Sequence, residues 1–431
     1  MLPFKAFLKE ETDPSEGKLK HITHAEDHPL FDGAKGFKKS MDVLRQASNH
    51  IKSGGNSSAL TMKYDGSPAM VFGHDPESGK FFVATKSAFN VSPKINYTHE
   101  DIEKNHGKVP GLANHLHQAL NHLKKIAPKT GVYQGDYMFG ENDKQQNKRG
   151  ISFKPNTITY TAKGDEAEKI ANAKMGVVVH TQYHGDTLGN MKADPYPDTH
   201  NFTQHPDVWM KPATYDTRHV HYSEEDQKKF EEHLAKAQAI HDKYGKEMYT
   251  AVKPHSGPGN YLDTYMNETV RTGEKPNHEG LKNHITKKYQ DKIAKLKTPA
   301  AQGRYQAELK NHLNYIEKNK NHYNNLFKMH HHLQEAKGVL VNTLNQHEGG
   351  LEHHVGSERT DPEGFVVNHN GTPTKLVNRA EFSRLNFLKQ KQKQEDSNTK
   401  EPEVKKEEPK KIKVKSNKKK LEGLEWIHQK T

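Results

Sequence analysis

The chain has no cysteine. Disulfide frameworks, thiol nucleophiles and zinc sites with thiolate ligands are therefore excluded. It is also short of apolar matter: 31% of its 431 residues are hydrophobic and two are tryptophan, while 28% are charged. Such a chain is expected to leave part of itself unpacked or in polar-faced helices. No apolar run is long enough to span a bilayer. The opening "MLPFKAFLKEETDP" is too short and too charged for a secretory signal. These shortages point to a soluble, cytoplasmic protein with no membrane partner. Its length is enough for two or three domains.

What the chain has in excess is positive charge, a net +12. That sign suits a nucleic-acid or nucleotide partner. The excess is uneven, because residues 389–420 hold 13 Lys against 6 Asp and Glu. This Lys/Glu/Pro-rich tail is expected to be disordered, serving either as an electrostatic arm for nucleic acid or as a solvating linker.

The texture changes along the chain. Residues 1–57 read as a lead-in, with Phe37, Met41, Leu44 and Ile51 at helical spacing over 36–52. From 58 to 185 the pattern is of strands, at 59–64, 69–73, 80–85, 131–139, 151–161 and 175–183, interrupted by a helix over 111–126. Residues 186–350 begin irregularly and then turn helical from 222 to 347, opening with Ser223 and Asp226 at capping-box spacing. Strand texture returns within 351–388, at 363–367 and 373–378, around the hairpin signal Asn370-Gly371. The expectation is an α+β core of antiparallel sheets, split by a large helical insertion and followed by the tail over 389–431.

Within that core, "TMKYDGSPAMVFG" (61–73) sets a lysine, an acid and a glycine where an apolar run would be easier to bury. Lys63-Tyr64-Asp65-Gly66 fits the pattern K-x-D-G. A deprotonated lysine amine can attack the α-phosphate of a nucleoside triphosphate, and Gly66 lets the backbone turn close to the nucleotide. The alternative is an exposed lysine before an Asp-Gly turn. Four further segments follow in order: "FFVATKSAFN" (81–90), "GVYQGDYMFG" (131–140), "PEGFVV" (362–367) and "TKLV" (374–377).

In these five segments the chain resembles the covalent nucleotidyltransferase superfamily of polynucleotide ligases and mRNA-capping enzymes. "KYDGSP" is similar to the RNA-ligase form of that superfamily's first motif. "KHITHAEDHPLFDGAKGF", "KYDGSPAMVFG", "KFFVATKSAFN", "YQGDYMF" and "FKPNTITY" also resemble uncharacterised proteins of large tailed bacteriophages. The superfamily resemblance implies an ATP-grasp-like ligase adenylation core. It implies Lys63 as nucleophile, with Asp65 and Gly66 beside the nucleotide. Lys86 would contact phosphate or ribose. Asp136 and Glu363 would hold the ribose or a divalent ion, Mg²⁺ or Mn²⁺. Lys375 would neutralise the α-phosphate in the transition state. The physics of phosphoryl transfer agrees with such a set.

The implied activity is self-adenylylation with ATP, and the implied end use is joining or repair of nucleic-acid strands. RNA is favoured over DNA by the motif form and by the short stretch left after Lys375 for an OB-fold. Transfer to a non-nucleic-acid acceptor, or a non-catalytic phage module, are the alternatives. Two departures stand out: Asp136 replaces the usual Glu, and Lys375 lacks the second lysine of its motif. The oligomeric state is left open.

Other features carry two readings. "HITHAEDH" (21–28) either folds over the nucleotide pocket or is a helix-entry segment. Tyr64, Phe153 and Tyr160 either stack on a base or fill the core. His330, His331 and His332 match no zinc spacing and point in different directions on a helix.

Overall fold

The structure is a computed structural model describing residues 22–379 other than 348 and 357. The tail expected over 389–431 lies outside the described residues.

The helices are α1 (His28–Ser53), α2 (His99–His106), α3 (Pro110–His122), α4 (Gly164–Asn172), α5 (Glu224–Val252), α6 (Tyr261–Thr272), α7 (His278–Ile293), α8 (Pro299–Lys318) and α9 (Lys320–Leu344). The first eight strands are β1 (Asn56–Lys63), β2 (Ala69–His74), β3 (Phe81–Ala84), β4 (Val132–Gly140), β5 (Lys144–Asn147), β6 (Gly150–Phe153), β7 (Thr159–Ala162) and β8 (Met175–His184). Then come β9 (Lys192–Asp194), β10 (Val208–Pro212), β11 (Thr214–Asp216), β12 (Glu352–Val355), β13 (Glu358–Arg359), β14 (Gly364–His369) and β15 (Thr372–Leu376).

They form three open sheets of mixed sequence origin. The first has the order β11-β1-β14-β15, the second β10-β8-β4-β2-β3 with β9 beside β8, and the third β13-β12-β7-β6-β5. Every pairing among these strands is antiparallel except β8 with β10. The α+β class with antiparallel sheets is therefore present.

The first sheet shows why its strands form. Along β1, Leu60 and Met62 alternate with Thr61 and Lys63, and the apolar pair is buried to 0% and 3% exposure. Phe365, Val367 and Leu376 join them from β14 and β15 on the same face. That face packs on Val43, Leu44, Ala47 and Ile51 of α1 and Leu340 and Leu344 of α9. Burying a side chain such as Phe365 contributes about 2–3 kcal/mol. Asn370 and Gly371, both at positive φ, make the tight turn that returns β14 against β15.

Several expectations are revised by packing. The single run expected over 151–161 is the hairpin β6–β7, turned at 154–158. The stretch expected to be irregular contributes β10 to the second sheet and β11 to the first. Ala213, between them, donates to Val179 and accepts from Met62. The boundary expected at 186 thus cuts through both sheets. Within the region expected to be helical from 222 to 347, the last stretch breaks at Asn319 into α8 and α9. Nor is α9 part of a separable insertion. Its Lys337 makes an ion pair with Glu26, each side chain only 1% exposed, and its Leu344 carbonyl accepts from Tyr215 on β11. Helix α1 begins at His28 rather than 36, with a kink at Gly33.

Candidate functional site

Lys63 is the last residue of β1, paired across the ladder with Gly364. Gly364 presents no side chain beside it, and Glu363 immediately precedes Gly364. The Lys63 amine makes an ion pair with Glu363 Oε1, the side chains being 29% and 14% exposed. The other carboxylate oxygen, Oε2, is buried without a partner among the described residues. Burial pushes the Glu363 carboxyl above the ordinary carboxylate range; Lys63 and Lys375 pull it back, and Asp65 pushes it up further.

Lys375 reaches the same face through strand register. Thr61 pairs with Val366, and Val366 pairs with Lys375. Cross-strand partners share a face, and so do residues two apart on one strand. Lys63 and Lys375 therefore lie on one face, with Cα atoms roughly 12 Å apart by strand spacing and rise. The Lys375 backbone is fixed from its far side. Its N–H donates to Thr23 at 2.9 Å, and its carbonyl accepts from Ala25 at 3.0 Å.

The turn after β1 carries the chain into the second sheet. A Cβ added at Gly66 would overlap the Asp136 Cβ and crowd the Met138 sulfur and the Tyr137 carbonyl. Glycine is required here because β4 passes so close. Asp136, half-buried on β4, pairs with Ala69 on β2, and its carboxylate lies 3.8 Å from His180 Nε2. Lys86 follows β3 in a short turn, where the Thr85 hydroxyl accepts from the Ser87 N–H. The β2–β3 ladder ends at the Val71–Ala84 pair, so Lys86 leaves the second sheet two residues beyond its last pairing.

Asp65 has a different employment. It is 7% exposed, and it accepts from Asn156 Nδ2 at 2.8 Å and from the backbone N–H groups of Thr157 and Ile158 at 2.6 and 2.8 Å. Its own N–H donates to the Tyr160 hydroxyl at 2.7 Å. The carboxylate is thus taken up in holding the β6–β7 turn. Tyr64, Phe153 and Tyr160 are 5%, 2% and 1% exposed and belong to the core rather than to a base-stacking surface. "FKPNTITY" carried the signal for this anchor, since it supplies Asn156, Thr157, Ile158 and Tyr160.

The described part of "HITHAEDH", residues 22–28, enters α1 and also extends the edge of the first sheet alongside Lys375. Its Asp27 binds His330 Nε2 and Arg379 Nη1, each at 2.8 Å, and its His28 ring meets the Thr374 hydroxyl at 3.2 Å. Arg379 is consumed in this buried cluster. The three histidines separate as their helical spacing requires: His330 meets Asp27, His331 faces Glu335, and His332 meets His233. One group of metal-ligating type, His278, Glu279 and Glu317, is found among the described residues. Lys282 already donates to both carboxylates at 3.1 Å.

Sequence reasoning missed α9 at the site. Val341 and Asn345 line a small pocket with Thr360, Asp361, Glu363 and Asn378. The Asn345 side-chain oxygen is buried there without a partner among the described residues. No pattern in the helix marks this; only the tertiary packing brings it beside Glu363.

Among the described residues no helix is long and apolar enough to cross a membrane. No curated protein and no solved structure matches the chain. A family profile matches residues 19–391, covering both sheet-forming parts and the helices between them. The chain belongs to that family, a family of unknown function (DUF6267).

Proposed function

We propose that the protein is an ATP-dependent covalent nucleotidyltransferase with a ligase-like adenylation core. The observation that carries this reading is the convergence at Lys63. Its amine is paired with a buried carboxylate from residue 363, on a sheet face shared with Lys375, although the two segments are 300 residues apart in sequence.

In the proposed step the Lys63 amine gives its proton to Glu363, whose burial-raised carboxyl is a competent acceptor. The amine lone pair then forms a bond to the α-phosphorus of ATP, and the bond from that phosphorus to the pyrophosphate oxygen breaks. Pyrophosphate leaves with the electron pair, and AMP stays on Lys63. Lys375 meets the charge that builds on the α-phosphate oxygens. Lys86 and Asp136 flank the nucleotide from the second sheet.

The residues suit a hard divalent ion, because Glu363 Oε2 is a buried oxygen without a partner among the described residues and Asp136, on β4, is a second carboxylate beside the Gly66 turn that follows Lys63. Mg²⁺ or Mn²⁺ held by Glu363 or Asp136 would supply charge neutralisation on the phosphates.

The end use we infer is joining or repair of RNA strands in the cytoplasm, that of the host cell if the gene is a phage's. Incubation with ATP labelled at the α-phosphate tests the first step, with a covalently labelled band as the expected result. A panel of nicked RNA and DNA substrates tests the second. No label on folded protein with Mg²⁺ or Mn²⁺ would overturn the proposal.

A further inference from the structure

The positive charge of the described part of the molecule is concentrated in one place. Residues 285–310 hold seven Lys and Arg against two Asp and Glu, whereas the rest of the described region holds 40 against 38. Those residues are the distal half of the antiparallel helix pair α7–α8 and its connection. The pair is little embedded. Of the 20 residues of α8, Ile316 alone is buried.

The cations there have few partners. Lys287, Lys292, Lys295, Lys297, Arg304 and Lys310 are exposed. None is ion-paired among the described residues, in contrast to Lys282 nearer the body, which bridges Glu279 and Glu317. Two of the six are instead arranged on an aromatic ring. Lys292 lies 4.3 Å and Arg304 5.4 Å from the centre of the half-buried Tyr305 ring. Tyr305 leans in turn on Tyr289, which leans on Tyr261 and His312. These tilted ring contacts link Tyr305 through Tyr289 to Tyr261 at the start of α6.

We infer that the α7–α8 tip is a nucleic-acid docking surface, engaging the phosphodiester backbone through Lys287, Lys292, Lys295, Lys297 and Arg304, with Tyr305 as its aromatic contact. Unpaired cations beside a half-exposed ring are the composition that backbone charge and base faces recognise. An anionic bilayer fits less well, because the large exposed hydrophobic residues among the described residues are Val91, Val109 and Tyr196, none on this pair. The inference names a partner surface for the proposed transferase but does not depend on its chemistry.

The test uses the full chain and a short labelled single-stranded RNA, with binding measured across a salt series. Lys287→Glu, Lys292→Glu and Lys295→Glu together are expected to weaken binding at least ~10-fold near physiological salt. They should also reduce the salt slope by about 2, at ~0.7 per phosphate contact on a single strand. A second chain with Lys410, Lys411, Lys413 and Lys415 changed to Gln separates the tail from the tip and is expected to lose less. A milder Lys-to-Gln triple at the same three tip positions, with melting temperature as a check, guards against misfolding. Unchanged RNA affinity and slope in the folded tip variants would overturn the inference. So would a loss confined to phosphatidylserine vesicles. Labelling by ATP is read on the same proteins: its absence throughout would sink the transferase reading, while the RNA result would stand or fall alone.

Discussion

Lys63 and Lys292 each sit near the end of a regular element, and their surroundings are opposite. Lys63 is held in strand register, partly covered, and paired with a carboxylate 300 residues away in sequence. Lys292 stands on an exposed helix with no ion pair among the described residues and an aromatic ring beneath it. The first arrangement fixes where one amine is. The second leaves charge free to act over about a Debye length, ~8 Å at physiological salt. On the proposed reading, position would serve bond-making and field would serve docking, so substitutions at the two places should fail in different ways.

The sharpest break is Lys63→Ala. It removes the amine that would form the proposed bond, so covalent labelling by ATP is expected to vanish while the melting temperature stays near that of the parent. Next are Glu363→Gln and Lys375→Ala. Each is expected to slow single-turnover labelling by about 10²–10³, or ~3–4 kcal/mol of barrier, with a much smaller change in ATP affinity. Near-normal rates in both would make the Lys63–Glu363 pair a structural contact and dissolve the contrast.

A third substitution separates holding from reacting. Asp65→Asn would set an amide against the N–H groups of Thr157 and Ile158. It is expected to cost about 2–3 kcal/mol of stability in chemical denaturation. ATP affinity of the folded fraction should be unaltered. A loss of affinity at unchanged stability would return Asp65 to the nucleotide.

These residues also show what could be read from the sequence and what could not. The strand ending at Lys63, the Asn370-Gly371 hairpin and the Ser223 cap are local, set by two-residue alternation and by turn and capping chemistry, and all three stand in the structure. The employment of Asp65 was hidden because it depends on a turn 91 residues downstream. The strands β10 and β11 were missed because they are short, and partners distant in sequence stabilise them. Lys337 and Arg379 gave no sign of burial; an ionic core cluster has no periodic signature. Charge counting on the sequence drew attention to the tail, and only the packing of α7 against α8 showed the second basic region as one surface.

Acid should weaken the body of the molecule. Burial is the leading cause that lowers His28 and His353 to about 3 and His255 to about 4. Unfolded, each would titrate near 6.5, so the unfolded chain takes up protons first as pH falls. The stability these groups contribute is complete above about pH 6.5 and lost progressively toward their folded values. Each is expected to remove ~2 kcal/mol between pH 7 and pH 5. His353→Leu should flatten the measured pH slope by that share, whereas an unchanged slope would show that the fold leaves His353 titrating as it does in the unfolded chain.

The smallest effect is expected at Lys292→Gln. Stability should move by less than ~0.5 kcal/mol, as for an ordinary surface change. The RNA salt slope should fall by ~0.7, and labelling at Lys63 should not change. Loss of labelling would mean that tip and site are not independent.

The most direct measurement is mass spectrometry of the peptide containing Lys63, taken after the full chain has been incubated with ATP and Mg²⁺. The account predicts an AMP increment on Lys63 that is stable to base, labile to acid as a phosphoramidate, and discharged by added pyrophosphate. An unmodified Lys63 in folded, ATP-treated protein, or an AMP increment on a different residue, would contradict it.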